Sequence, residues 1–391
     1  MSPTLLLALN FPPFGGGIAR MMGEVALRYP AHGLLVSTGT WPGSDPGDFP
    51  QTIDRVAVGA KRLRTLNGLV RWTRRAAELA RRANPGFAWC DEIKPAGYAA
   101  AWLHARRGLR FGVLAHGADF LLLQAKVRRS RFKRWTTRRI LEGCAVIVAN
   151  SRWTADLARA VLESLGCHAL AADIRVVHLG TTPARFRPGI DPRAVRGRYG
   201  LDGGPWLLTV ARLDFHKGID TVIRALPAIR ATVPGTRYAV AGIGSRRGAL
   251  EALVAELGLG EAVRLLGFVP DQDLPALYNA ADLFVLASRR HDLLVEGFGI
   301  SCVEASACGL PVIGSRSGGI PEAIREGETG LLVEPDDPAA VTAAAVRVLE
   351  DEALRRRLGA AGRAAVESYY NWDRVTADLV RIDREFRRSR A

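Results

Sequence analysis

Short apolar runs alternate with longer amphipathic stretches along almost the whole chain. Residues 4–9 read as a buried strand, and Gly15-Gly-Gly-Ile-Ala-Arg-Met-Met-Gly-Glu-Val-Ala-Leu27 reads as a glycine loop opening a helix. Further strands are predicted at 33–37, 111–115 and 145–149, before an irregular segment at 180–191 rich in Thr, Pro and Gly. A second series follows at 206–211, 238–241, 263–266, 283–287 and 311–313, each run trailed by a helix-like stretch. Such spacing predicts parallel sheets covered on both faces. Two series predict an α/β protein of two doubly wound, Rossmann-like domains, at 1–185 and 186–368. Ligands bind beyond the carboxyl ends of strands in open parallel sheets, so a cleft between facing domains is the expected site. The last segment, 369–391, has helical apolar spacing at Trp372, Val375, Leu379, Ile382 and Phe386, and is longer than the second domain needs.

Length agrees with this division, since 391 residues exceed one typical domain. A hydrophobic content of 48% with 24% charged residues is ordinary for a soluble globular enzyme. The apolar N-terminus lacks a basic start and a cleavage-like site, so it reads as a first strand rather than a signal peptide. No run approaches the roughly 18 apolar residues of a membrane span. Cys90, Cys144, Cys167, Cys302 and Cys308 are odd in number and show no C-x-x-C spacing. They fit a reducing cytoplasm better than a disulfide framework or a zinc site.

Charge changes the picture more. Residues 1–190 hold 28 Lys+Arg against 12 Asp+Glu, so the first half carries the whole excess behind the net +15. The run from Lys126 to Arg139 has eight basic residues and no acid, with Phe132 and Trp135 interleaved. A second cluster, from Lys61 to Arg75, adds six basic residues with Leu63, Leu66, Leu69 and Trp72. These helices suit an anionic membrane surface or an anionic acceptor. A solvated arginine-rich face is the plain alternative, and no nucleic acid partner is expected.

Candidate chemistry gathers in the second half. Glu296-Gly-Phe-Gly-Ile-Ser-Cys-Val-Glu304 lies between two strand-like runs, so a glycine turn opens a short helix whose first N–H groups are unpaired. Glu296 and Glu304 bracket that turn and converge on one ligand, or are unrelated glutamates of surface and helix. Ala211-Arg-Leu-Asp-Phe-His-Lys-Gly218 puts Arg212 and Lys217 at a strand end, where a guanidinium and an ammonium could clamp a diphosphate. Gly15-Gly-Gly17 brings backbone N–H groups from the other domain. Asp271-Gln-Asp273 looks like a D-x-D metal motif, but its place before Leu274-Pro-Ala-Leu-Tyr278 favours helix capping.

Taken in order, several pieces resemble one family. They are Val210-Ala-Arg-Leu with Lys217-Gly218, Ala241-Gly-Ile-Gly244, Leu266-Gly-Phe-Val269, the Glu296–Glu304 segment, Gly309-Leu-Pro-Val312, Gly318-Gly-Ile-Pro-Glu322 and Gly330-Leu-Leu-Val-Glu334. The chain resembles the retaining nucleotide-sugar glycosyltransferases of family 4, which have the GT-B fold. The match is strongest over 206–334. It is looser in the first domain, at Asn10-Phe-Pro-Pro-Phe-Gly-Gly-Gly17, His116-Gly117 and Asn150-Ser151.

The resemblance implies that Arg212 and Lys217 hold the donor diphosphate, Glu304 the ribose hydroxyls, and Glu296 the transferred sugar. The backbone N–H groups of Phe298, Gly299 and Ile300 would lie near that sugar. Phe268 and Val269 would line the base, Gly16 and Gly17 would meet phosphates or acceptor, and His116 would stand beside the reacting sugar, with Asp119 helping to place the acceptor. The final helix would cross back to the first domain. No cofactor or catalytic metal is implied beyond the nucleoside diphosphate sugar (UDP- or GDP-linked) as donor substrate.

The implied reaction transfers the sugar to an acceptor hydroxyl with retention, the leaving phosphate taking the acceptor proton. Glu296 then acts as a hydrogen-bond acceptor for the sugar hydroxyls rather than as a nucleophile. A lipid-linked or saccharide acceptor of cell-envelope glycolipid or polysaccharide synthesis, reached from the cytoplasm at the inner membrane face, is the first expectation. A soluble small-molecule acceptor, a nucleotide-sugar epimerase and a non-catalytic basic binding protein are the alternatives. Two departures stand out: Gly244-Ser-Arg-Arg247 is basic where the family often has proline and an acid, and Ser288-Arg-Arg-His-Asp-Leu-Leu-Val295 is long. His291 and Asp292 in that stretch either touch the donor or close a loop.

Overall fold

The computed structural model describes residues 2–13, 15–42 and 49–388, excepting the side chains of Ala60, Lys61 and Arg388. Phe14 and the Lys61 side chain, both part of the motifs above, therefore lie outside the described residues. The chain divides into two compact units, Met1–Leu179 with Trp372–Ala391, and Gly180–Asn371.

In the first unit seven strands are described: β1 (Thr4–Leu7), β2 (Leu34–Thr40), β3 (Thr52–Gly59), β4 (Phe87–Cys90), β5 (Phe111–Ala115), β6 (Cys144–Ala149) and β7 (Ile174–Val176). All are parallel, in the order β3-β2-β1-β4-β5-β6-β7. The second unit has β8 (Trp206–Val210), β9 (Arg237–Ala241), β10 (Val263–Gly267), β11 (Leu283–Leu286), β12 (Val312–Ser315) and β13 (Gly330–Val333), parallel and ordered β10-β9-β8-β11-β12-β13. Central strands such as β1 and β11 are buried at every position, because helices cover both sheet faces. Leu5, Trp72, Phe111 and Phe120 anchor the first core, and Leu207, Ile223, Tyr238 and Val285 the second.

Strand order reverses between β1 and β4 in the first sheet and between β8 and β11 in the second. Segments leaving the two central strands part to opposite faces there and leave a crevice at the carboxyl edge. The loops after β1, β5, β8, β10 and β11 carry the candidate residues.

Four strands escaped the apolar-run reading. β3 is an edge strand with only Val56 buried, so it lacks an apolar signature. β4 has four residues and β7 three, too few for periodicity to register. β13 entered only through its motif. The first boundary falls between Leu179 and Gly180 rather than at 185/186, because the following segment is tied into the second unit. The Thr181 N–H donates to the Tyr370 carbonyl at 2.9 Å, Arg363 donates to the carbonyls of Pro183 and Phe186, and Phe186 packs edge-on against Tyr278.

The helix Trp372–Arg388 belongs to the first unit, burying Trp372, Val375, Leu379 and Ile382. Its anchor is Asp383, 2% exposed. Oδ2 accepts from Tyr29 Oη at 2.6 Å, Thr4 Oγ1 at 2.5 Å and Arg387 Nη2 at 2.9 Å, while Oδ1 accepts from Arg387 Nε at 2.5 Å. Removing one member of a buried, hydrogen-bonded charge pair costs about 3–5 kcal/mol. Asp383→Ala is expected to lower the unfolding free energy of the first unit by that amount, read as a lower urea midpoint, and to leave the second unit's transition in place. Unfolding followed separately by tryptophans of each unit checks this.

Candidate active site

In the second unit the chain leaves β8 through Ala211 to Asp214, makes one 3-10 turn at Phe215–Lys217, and enters the helix Ile219–Thr232 at Gly218. Gly218 has φ +66°, and a Cβ there would stand 1.7 Å from the Ala287 carbonyl oxygen. Only glycine lets this turn close onto the end of β11. From that end, the Arg289 N–H donates to the His216 carbonyl at 2.8 Å. The buried Arg289 guanidinium pairs with Asp220 and Asp336, reaches Thr221 Oγ1 at 3.2 Å, and lies 4.3 Å from the Phe215 ring centroid. Phe215 also meets Arg246 at 5.3 Å and His291 at 4.6 Å.

This brace brings Lys217 Nζ onto Glu296 Oε2 in an ion pair whose side chains are 14% and 18% exposed. Glu296 is held from the other side as well. The Gly319 N–H donates to its carbonyl at 3.0 Å, and a Cβ on Gly318 (φ +59°) would stand 2.2 Å from that oxygen. Burial works to raise the Glu296 carboxyl, but the charge and hydrogen bond of Lys217, with His216 and Arg212, carry it below the usual range. Glu296 is therefore ionised. Burial, then the charges of Lys217 and Arg212, bring the neighbouring His216 down to about 4, against smaller opposing effects of Glu296 and Asp214, so its ring is neutral.

Residues 297–299 are non-helical, and Gly299 (φ +98°) caps the helix Ile300–Ala307. Glu304, inside that helix and 2% exposed, accepts from Tyr278 Oη at 2.9 Å. The two glutamates thus have different partners, an ammonium for Glu296 and a phenol for Glu304. Arg212 is largely exposed and pairs with Asp214 at 3.0 Å. Beyond β10, Phe268 is 70% exposed, whereas Val269 is buried. The Phe298 ring is buried against Tyr370, so that residue can offer a site only its backbone.

In the first unit Gly16 (φ +115°) caps the helix Gly17–Arg28, and a Cβ there would meet nothing within 4 Å. His116 follows β5. Its Nε2 lies 2.7 Å from the Asp91 carbonyl, which can only accept, so the neutral ring carries its proton on Nε2 and a lone pair on Nδ1. The His116 N–H donates to Asp119 Oδ1 at 3.0 Å. Asp91, after β4, takes the Asn10 N–H at 2.8 Å and Asn10 Nδ2 at 3.1 Å on Oδ2, and no hydrogen bond reaches its buried Oδ1. Burial lifts Asp91 to about 7; burial, then Asp91 and Asp119, lift Glu92 to about 8, and burial raises Asp119. Among the described residues, no group of three or more His, Cys, Asp or Glu side chains is arranged to hold a metal ion.

Two expectations need correction, and one open choice falls to the loop. Of the D-x-D pair, Asp273 makes no side-chain cap on the helix Leu274–Asn279 and pairs instead with Arg198, while the Asp271 carboxylate lies 3.9 Å from Arg185. His291 and Asp292 close a tight loop, with reciprocal backbone bonds between His291 and Leu294 and φ +51° at Asp292. In the cluster from Lys61 to Arg75, Leu63 and Trp72 are core residues, Trp72 donating to Ser37 Oγ at 3.0 Å, and Arg75 is paired with Asp54 and Glu78.

The sequence reading missed Asp91, Glu92, His216, Tyr278 and Arg289. An acidic pair directly after the apolar Phe87-Ala-Trp-Cys90 run was the available signal for the first two. Nothing in one dimension marks Arg289, whose carboxylate partners come from distant segments.

Residues 15–185 match the family model described as glycosyltransferase family 4, and residues 194–365 match that of glycosyl transferases group 1. A GDP-mannose-dependent alpha-(1-6)-phosphatidylinositol monomannoside mannosyltransferase of Mycobacterium tuberculosis is 31% identical, with 97% of each chain covered. The chain belongs to glycosyltransferase family 4. A D-inositol 3-phosphate glycosyltransferase of Acidothermus cellulolyticus is 35% identical, over 63% of this chain and 56% of that one. The sucrose-phosphate synthase structure from Thermosynechococcus elongatus superposes with a TM-score of 0.79 at 24% identity, covering 99% of both chains, so the fold is GT-B. The family 4 chain described here is accordingly a retaining nucleotide-sugar glycosyltransferase.

Arg289 joins the turn bearing Lys217 to the loop leading to Glu296, and its loss would leave Asp220 and Asp336 without their cation. Arg289→Met is expected to destabilise the second unit by about 3 kcal/mol and to weaken nucleoside diphosphate binding. Arg289→Lys should recover part of both effects. Thermal unfolding and titration calorimetry with GDP and UDP measure the two.

Proposed function

We propose that this enzyme transfers mannose from GDP-mannose to a hydroxyl of a glycolipid acceptor in cell-envelope synthesis. The observation that carries the reading is the ion pair of Lys217 with the ionised Glu296 at the carboxyl edge of the second sheet. In the bound state Lys217 would share its donors between Glu296 and a diphosphate oxygen. Arg212, mobile enough to leave Asp214, would close on the same diphosphate. These cations oppose the charge that grows on the departing diphosphate. Glu296 accepts from hydroxyls of the transferred sugar, Glu304 from the ribose, and Phe268 offers its exposed ring to the base. The N–H groups of Gly299 and Ile300 open toward the sugar at the start of their helix. Gly16, Gly17 and His116 of the first unit would serve the acceptor, His116 accepting at Nδ1. GDP-mannose is favoured because a relative matching over the full length is named for it.

The first unit supports a lipid acceptor. On the helix Arg131–Leu141, Phe132 is 70% and Trp135 56% exposed, their rings 6.2 Å apart, with basic residues on both sides. Leu66 and Val70 add exposed apolar surface on the helix Leu66–Ala83. Among the described residues no helix is long and apolar enough to cross a membrane. Such a face attaches to the surface of an anionic bilayer.

Lys217→Ala is expected to lower kcat/KM for transfer from GDP-mannose by roughly 100- to 1000-fold, the scale for losing one preorganised charge stabiliser. Radiolabelled mannose transfer to phosphatidylinositol mannosides checks this, and equal turnover by the variant would remove Lys217 from the site. Free mannose released without any lipid product would retain the donor reading and reject the acceptor.

For the surface reading, binding to phosphatidylinositol-containing vesicles should fall about tenfold in Phe132→Ser/Trp135→Ser. It should also weaken with salt. Co-sedimentation measures both.

A further inference from the structure

Among the described residues, three lysines of the first unit act on one another and none is ion-paired with a carboxylate. Lys94, half-buried between β4 and the helix Ala96–Arg107, has its Nζ 2.8 Å from Thr137 Oγ1 and 3.4 Å from Thr136 Oγ1. Both threonine hydroxyls donate to the Lys133 carbonyl, at 2.6 and 3.1 Å. Lys94 therefore rests on the turn of the helix Arg131–Leu141 that begins at Lys133. Its ammonium also lies 5.4 Å from the Tyr98 ring centroid. Lys126 comes from the end of the neighbouring helix, Ala118–Arg129.

The three charges act on one another. Burial, then Lys133, bring Lys94 down to about 8; burial, then Lys133, Lys94 and Arg64, lower Lys126. Arg64 has a partner in Glu92 at 3.4 Å. Among the described residues, none of the three lysines forms an ion pair. Like charges brought together by three separate segments, one of them half-buried, raise the energy of the empty protein and favour an anion in their midst. Lysines bind phosphate as point charges, and the hydroxyls of Thr136 and Thr137 orient the Lys94 ammonium.

We propose that Lys94, Lys126 and Lys133 form a binding site for a phosphate group, supplied by the acceptor as a lipid head group or as a soluble phosphorylated polyol. Assigning that phosphate to the acceptor rests on the function proposed above, whereas the anion site does not. The exposed Phe132 and Trp135 on the same helix favour the lipid source.

The test is the rate at which an amine reagent modifies Lys94 in the full chain, read by peptide mass spectrometry. The probes are inorganic phosphate, glycerophosphoinositol, vesicles containing phosphatidylinositol, and phosphate-free digalactosyldiacylglycerol vesicles. Phosphate probes are expected to slow modification about tenfold. Lys126→Gln/Lys133→Gln should abolish the protection. Arg71→Gln/Arg74→Gln, which removes the same charge from the helix Leu66–Ala83, should retain it. Protection by glycerophosphoinositol supports the site with a soluble source admitted, and protection by phosphatidylinositol vesicles alone supports it with the lipid source. Equal protection by the phosphate-free vesicles, or none by any phosphate probe, overturns it. GDP affinity measured on the same samples keeps the readings apart: Lys94 protected in a protein that does not bind GDP would leave the anion site standing and reject the GDP-mannose donor.

Discussion

The contact around which the carboxyl edge of the second sheet is built is the ion pair between Lys217 and Glu296. It exists because β8 and β11 are neighbours at the point where strand order reverses, so the segments leaving them start side by side and then diverge. A lysine and a glutamate so enclosed must meet each other or a ligand, since an isolated buried charge is costly. Much of the surrounding construction keeps that meeting in place. Gly218 brings one backbone against Ala287, Gly318 and Gly319 hold the other at Glu296, and Arg289 ties the two with two carboxylates, a carbonyl and an aromatic ring.

The first unit repeats the arrangement with opposite chemistry. At its own reversal, between β1 and β4, Asn10 meets Asp91, and burial favours the protonated forms of Asp91 and Glu92. The Asp91 carbonyl decides which nitrogen of His116 carries the proton. One crevice thus offers cations around an ionised carboxylate, suited to a diphosphate sugar. The other offers acids near neutrality beside a histidine of defined tautomer, suited to hydroxyl groups. In the same unit the helix Arg131–Leu141 carries the exposed rings of Phe132 and Trp135, and its Thr137 hydroxyl lies 2.8 Å from the Lys94 ammonium.

The alternation of short apolar runs was enough to read two parallel sheets, since strands covered on both faces must be apolar throughout. It failed where that condition fails, at the half-exposed edge strand β3 and the partly exposed three-residue β7, and it also passed over the buried four-residue β4. Glu296, Glu304, Arg212 and Lys217 could be singled out as candidates because they stand beside glycine turns at strand ends. Asp273 misled, because local spacing suggested capping while Arg198 approached from elsewhere.

By itself the sequence determined the fold class and the family, both of them properties of local pattern or of ordered motifs, and it singled out the candidate segments. Only the tertiary structure decided which charges meet. Lys217 and Glu296 are 79 residues apart, Asn10 and Asp91 are 81 apart, and Arg289 joins Asp220 across 69. Those pairings follow from strand order, which no periodicity encodes. They in turn decide that Glu296 is ionised, that His216 is neutral, and that Lys94 stands among cations without a counter-ion.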